Sequence, residues 1–245
     1  MRVMLTVSYD GTNYCGSQVQ ENGITIEEVL NRELSRFFDQ NIKVSGASRT
    51  DSGVHAIGAV FVFDVETKMP AEKISYALNV SLPDDIVVIH SKEVSSDFHP
   101  RFQKTSKTYE YFILNSDFPN PLLRNYTYHY RKFLDDKKMN EAAKFLIGEH
   151  DFTSFAAIGS QTNTFVREIF DAGVRRDGDL IVFYITGAGF LYNMVRIIVG
   201  TLVEVGNGKR KPSEMKEILE KKDRSAAGPT APAQGLVLRE ITYKE

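Results

Sequence analysis

One cysteine, Cys15, stands in a chain of 245 residues. No intrachain disulfide can form, and a reducing compartment is expected. Long apolar runs are missing too. No stretch reaches the roughly 18 apolar residues that a membrane span requires, so no membrane partner is expected. The opening Met1-Arg2-Val3-Met4-Leu5 has neither a long apolar run nor a small-residue cleavage site. A secretory signal is therefore not expected, and the cytoplasm is the expected compartment. The five histidines, His55, His90, His99, His129 and His150, form no H-E-x-x-H pair, and one thiol cannot build a zinc cage. Gly206-Asn207-Gly208-Lys209 lacks the spacing of a phosphate-cradling P-loop. Gly187-Ala188-Gly189 lacks the third glycine of a dinucleotide fingerprint. The expectation is no metal and no cofactor.

What remains has the ordinary balance of a globular protein, 42% apolar and 25% charged. Disorder and low complexity are excluded. The net charge of −2 conceals an uneven distribution. Residues 98–132 carry Arg101, Lys104, Lys107, Arg124, Arg131 and Lys132 against two acids. Residues 205–222 carry Lys209, Arg210, Lys211, Lys216, Lys221 and Lys222 against three. Such asymmetry suits a basic groove on an acidic body, or simply a solvated surface.

Period and punctuation predict strands at 3–9, 57–65, 86–90, 107–114, 126–131, 165–175, 180–186 and 236–243. Thr25-Ile26-Glu27-Glu28 is a capping box, and it opens a helix with Ile26, Val29, Leu30, Leu34, Phe37 and Phe38 inward. Pro70 starts a second helix. Asp135 starts a third, with Gly148 as its stop. Residues 190–205, apolar nearly all round, predict a buried helix, and Pro212-Ser213 begins a short one. Two halves of similar mixed order suggest two α+β subdomains, residues 1–103 and 104–245, sharing a cleft.

Three stretches could carry chemistry. Ala47 to His55 sets Asp51 among small polar residues, with Arg49 two positions before it. Asp51-Ser52-Gly53 matches the short motif of a dimeric aspartic protease. That chemistry needs apolar strands and two carboxylates sharing a proton, whereas Ser48, Arg49 and Thr50 are polar and a guanidinium favours ionised carboxylates. An Asx-turn is the plain structural reading. Phe98 to Phe112 interleaves aromatic and basic residues, which suits base stacking beside phosphate contacts or a strand packed on a helix. In the apolar 190–200 stretch, Arg196 asks for a buried carboxylate or a snorkelling path to water, and Asn193 shares its face at i, i+3. Asp51 is the candidate partner.

In order along nearly the whole chain, these pieces resemble the tRNA pseudouridine synthases of the TruA family. Tyr9 to Gln18 resembles the family's opening motif, Ser48 to Ala56 its catalytic loop, and Lys107 to Ile113 its tyrosine strand. Phe152-Thr153-Ser154-Phe155, the 187–200 helix and Ala233-Gln234-Gly235-Leu236 follow in family order. Ser17 stands where the family usually has Trp, Ser48 where it has Gly, and Ser52 where it has Ala. The resemblance implies an α+β pseudouridine synthase fold with a mostly antiparallel central sheet, flanking helices and an RNA cleft. It implies a homodimer that converts uridine to pseudouridine at positions 38, 39 and 40 of the tRNA anticodon stem-loop. It implies Asp51 as nucleophile, Tyr109 stacking on the uracil, and Arg196 holding Asp51 ionised. Arg49 would fill the space of the flipped base, with His55 and Asn193 also on the substrate side. A non-catalytic RNA-binding module with the same basic and aromatic face is the alternative.

Overall fold

A computed structural model describes residues 1–159 and 162–243. In chain order its first elements are β1 (Arg2–Tyr9), α1 (Ile26–Phe38), β2 (Ser45–Gly46), β3 (His55–Asp64), α2 (Ala71–Leu78) and β4 (Ile86–Val94). Then come β5 (Thr105–Leu114), β6 (Tyr128–His129), α3 (Asp136–Lys144), β7 (Gly148–Asp151), β8 (Val166–Asp177) and β9 (Leu180–Gly187). The chain closes with α4 (Met194–Gly206), α5 (Glu214–Lys221) and β10 (Leu236–Tyr243). They form two compact units. The first runs from Met1 to Thr105 and takes in the chain from Leu238 onward, and the second is Ser106–Val237. A simple division at residue 103 thus differs from the units at the end of the chain, where most of β10 belongs with the first.

In the first unit the strand order is β4-β1-β3-β10, with β2 alongside β3. β1 is antiparallel to both β3 and β4. Its alternating pattern buries Val3, Leu5, Val7 and Tyr9, the two-residue period of a strand with one face on a core. α1 begins where the capping box predicts, and the Thr25 hydroxyl accepts the Glu28 N–H at 3.3 Å. Ile26, Val29, Leu30 and Leu34 are buried. Phe37, expected inward, is exposed: it sits in the last turn, with its ring edge-on against Phe38 at 4.8 Å. α2 packs on β4.

In the second unit the order is β5-β9-β8-β7, antiparallel throughout, and β6 runs parallel to β5. α3 packs on β8 and against α4 and α5. α4 is buried nearly all round. Its Gly200 is required: a Cβ there would stand 1.7 Å from the Pro229 carbonyl oxygen. The loop that crosses it is tied down by Gly228 N–H to Thr201 Oγ1 (2.9 Å) and Ala231 N–H to the Arg196 carbonyl (3.0 Å).

Three boundaries differ from expectation. α4 begins at Met194 because Asn193 is left-handed (φ +58°), so 190–193 form its approach. α3 ends at Lys144, and Gly148 (φ +111°) opens β7 instead of closing the helix. β7 is the short polar segment Gly-Glu-His-Asp, which carries no strand signal, and it exists through pairing with β8. The strand expected over 126–131 is confined to Tyr128–His129.

Candidate active site

Asp51, Arg49 and His55 belong to the first unit; Tyr109, Asn193 and Arg196 belong to the second. Asp51 sits in the loop from Ala47 to Val54 that joins β2 to β3. A loop this short must be held from outside itself, because so few residues cannot bury a core of their own. Here the holder is the segment that follows β1. The Thr50 N–H donates to Ser17 Oγ at 2.9 Å, and the Ser17 N–H donates to the Thr50 carbonyl at 3.1 Å. Thr50 Oγ1 and the Tyr9 hydroxyl are 2.8 Å apart. On the other side of Asp51, the Ser52 hydroxyl (3.2 Å) and the Gly53 N–H (3.3 Å) both donate to the Tyr14 carbonyl. Asp51 itself closes the turn, its carbonyl accepting the Val54 N–H at 3.1 Å.

Glycines set the closeness of the two segments. A Cβ on Gly11 would stand 2.0 Å from the Val54 carbonyl oxygen, and one on Gly16 2.7 Å from that of Thr50. Gly16 and Gly53 also take positive φ, +86° and +75°, where a side chain is strained. The Tyr14 hydroxyl donates to Asp85 Oδ1 at 2.6 Å, which ties the clamp to the start of β4. Burial raises the Tyr14 pKa, and so does its bond to Asp85. His55 is buried, with Nδ1 3.0 Å from the Gly11 N–H and 3.1 Å from Asp10 Oδ1. Its ring is part of the same clamp. Arg49 is exposed at the loop's rim. Beside it, buried Glu27 accepts the Val19 N–H, and Arg101 donates to the Gly46 carbonyl at 2.8 Å. Burial raises the Glu27 pKa despite the Arg101 and Arg49 charges.

In the second unit, Tyr109 and Tyr111 lie two apart on β5 and are both buried, yet their surroundings differ. The Tyr111 hydroxyl donates to the Pro232 carbonyl at 2.7 Å, and its ring leaves no room for a Cβ on Gly235 (2.6 Å). Burial raises its pKa. It is a packing residue with a satisfied hydroxyl. Tyr109 instead meets Phe190 edge-on at 5.1 Å, in the approach to α4. Arg196 Nη1 donates to Asn193 Oδ1 at 2.9 Å, as the i, i+3 spacing predicts, and Nε donates to the Ala231 carbonyl at 2.8 Å. The guanidinium is thus aimed by two fixed acceptors.

Of the clamp residues, Tyr9, Tyr14 and Ser17 carry no role in the sequence reading. Their partners lie 33 to 41 residues away, and only the glycines at 11 and 16 hinted at a close approach.

A profile described as tRNA pseudouridine synthase matches residues 5–103 and 142–244. The chain belongs to the tRNA pseudouridine synthase family. Among its relatives, the protein named tRNA pseudouridine synthase A from Thermoanaerobacter sp. (strain X514) is 49% identical over 98% of this chain and 99% of its own. Those of the same name from Acetivibrio thermocellus and Clostridium acetobutylicum are each 48% identical over the same shares. As a family member the chain has an α+β pseudouridine synthase fold, and the aspartic-protease reading of Asp51-Ser52-Gly53 loses its support. Among the described residues no helix is long and apolar enough to cross a membrane, and no cluster of three or more His, Cys, Asp or Glu could hold a metal.

Proposed function

We propose that this chain isomerises uridine to pseudouridine at positions 38, 39 and 40 of the tRNA anticodon stem-loop, as a cytoplasmic homodimer, with Asp51 as nucleophile. The observation that carries the reading is the clamp on the 47–54 loop. Bonds on both sides of Asp51 fix the backbone that bears this one carboxylate, while its side chain stays only half-buried. Preorganisation of this kind is what a group acting on a reacting centre requires.

The reaction is redox-neutral and needs no cofactor. The N1–C1′ bond breaks, the uracil turns, a C5–C1′ bond forms, the C5 proton leaves and N1 takes one up. Asp51 must act ionised, and Arg196 would favour that form by charge pairing. Tyr109 would stack on the uracil and act on the C5 proton, or orient a water that does. Arg49, exposed at the loop rim, would replace the base when it leaves its stack. Asn193, bonded to Arg196, would keep that guanidinium aimed.

The test is incubation of the protein with an unmodified tRNA transcript, with release of hydrogen from uracil C5 followed and pseudouridine mapped. Wild type should modify positions 38–40. Asp51→Asn should bind the transcript nearly normally and turn over not at all, since the amide keeps the shape but not the charge. Turnover of Asp51→Asn within tenfold of wild type would remove Asp51 as nucleophile. Binding without hydrogen release by wild type would make the chain an RNA-binding module.

A further inference from the structure

Three antiparallel strands of the second unit meet in register at one end of their sheet. Lys107 on β5 lies opposite Gly187 on β9, and Gly187 lies opposite Ile169 on β8. Residues directly opposite share a face, and so do residues two apart on one strand. Lys107, Tyr109, Gly187, Ile169 and Arg167 therefore belong to one face. The glycine confirms the direction: a Cβ on Gly187 would meet Ile169 Cδ1 at 2.8 Å and the Phe190 ring at 3.4 Å. That ring is the one that meets Tyr109.

Arg167 is the unexplained member of this face. Its Nη1 donates to the carbonyls of Thr164 (2.9 Å) and Val166 (2.6 Å), and its Nη2 to Thr162 Oγ1 (3.2 Å). All three acceptors are neutral. Nε lies 4.0 Å from where a Cβ on Gly189 would stand, so the guanidinium flanks the turn that leads to Phe190. It is only part-exposed, and burial lowers its pKa. A guanidinium partly withdrawn from water beside neutral oxygens still has charge to satisfy, and this one stands on the face of the tyrosine expected to meet the base.

We propose that Arg167 is a phosphate-binding residue for the RNA strand that carries the target uridine. The inference rests on the reading of the chain as a tRNA pseudouridine synthase. A guanidinium forks onto phosphate oxygens with paired donors, which fixes the strand relative to Tyr109 and Phe190 without touching the reacting atoms. Its effect belongs to binding, so KM should carry it and kcat should not.

The experiment measures kcat, KM and the salt dependence of binding on an unmodified tRNA transcript for wild type, Arg167→Gln, Arg167→Lys and Thr162→Val. Arg167→Gln should raise KM about tenfold, in line with a lost charged hydrogen bond, and leave kcat within twofold. The slope of log affinity against log salt should become shallower by about 0.7–0.9, one phosphate contact. Arg167→Lys should keep the slope and lose severalfold in affinity, because an ammonium cannot fork. Thr162→Val removes a partner of the guanidinium but no charge, so its KM and slope should match wild type. If Arg167→Gln leaves the slope unchanged, or Thr162→Val reproduces its effect, the guanidinium only braces the 162–166 turn and the proposal is overturned. Should Arg167→Gln fail to fold, Arg167→Lys decides, and wild-type affinity in that variant counts against the fork. A wild type that forms no pseudouridine on the same transcript overturns the functional reading instead.

Discussion

Tyr109 and Tyr111 are identical side chains on one face with different surroundings. Tyr111 is buried completely and gives its hydroxyl to the Pro232 carbonyl. Tyr109 faces Phe190 across 5.1 Å. Tyr109→Phe keeps the ring and loses the hydroxyl. The expected outcome is near-normal tRNA binding and a 10²–10⁴-fold loss of turnover, the range for a lost acid–base group. Tyr111→Phe should stay active and lose about 1 kcal/mol of stability, because the part-buried Pro232 carbonyl forfeits a donor. Paired turnover and denaturation curves check both, and an active Tyr109→Phe beside a dead Tyr111→Phe would exchange the roles. Glu204 offers a test of electrostatics. Burial pushes its carboxyl up, but bonds from Lys209 and from Arg210 (2.6 Å) outweigh that and hold it below the usual 4.5. A depressed carboxylate stabilises the fold above its unfolded pKa, and the contribution fades as pH falls through the folded value. The melting temperature of wild type should therefore exceed that of Glu204→Gln near neutrality, and the gap should close below about pH 4.5.

At the scale of elements, the 47–54 loop is legible as a motif but not as a geometry. Ser48 to His55 is distinctive in sequence. What holds it is the segment from Tyr9 to Ser17, through backbone groups that any residue would carry and a few side chains. Ser17 is instructive because a short side chain does part of this holding. Its hydroxyl is buried and takes the Thr50 N–H at 2.9 Å. Ser17→Ala leaves that donor unsatisfied, which costs about 1–3 kcal/mol. The variant should fold, bind tRNA with an unchanged KM and lose roughly tenfold in kcat, through misplacement of Asp51. Ser17→Thr, which keeps the hydroxyl, should recover part of the loss. A KM change without a kcat change would assign Ser17 to binding.

For the molecule as a whole, the basic segments divide. In 205–222, Lys209 and Arg210 pair with Glu204, Lys216 with Glu220 and Lys222 with Asp151. Much of that local charge is neutralised within the chain. In 98–132, Arg101 bonds the Gly46 carbonyl beside the 47–54 loop, and Arg131 and Lys132 are exposed. Replacing Arg131 and Lys132 with Ala should flatten the salt dependence of tRNA affinity by nearly two contacts. Replacing Lys209 and Arg210 should flatten it less and lower the melting temperature more. Binding isotherms over a salt series, with thermal melts, distinguish the two segments. Equal slopes would return 98–132 to ordinary surface charge.

Local rules determined most elements of this chain. Two-residue alternation in β1, the Thr25 cap of α1, the Asp135 cap of α3, the Asp177-Gly178-Asp179 turn and the apolar circumference of α4 are short-range physics written in neighbouring residues. The order of motifs along the chain was enough to reach the family. Tertiary structure alone decided the rest. β7 has no strand signal and forms because β8 supplies its hydrogen bonds. β10 lies beside β3, far from it in sequence. What each tyrosine of β5 meets depended on Pro232 and Phe190, and whether a lysine is paired depended on Glu204. Periodicity reports which face a residue takes. It cannot report what stands opposite, because that contact is made by chain many residues away, and only folding brings it there.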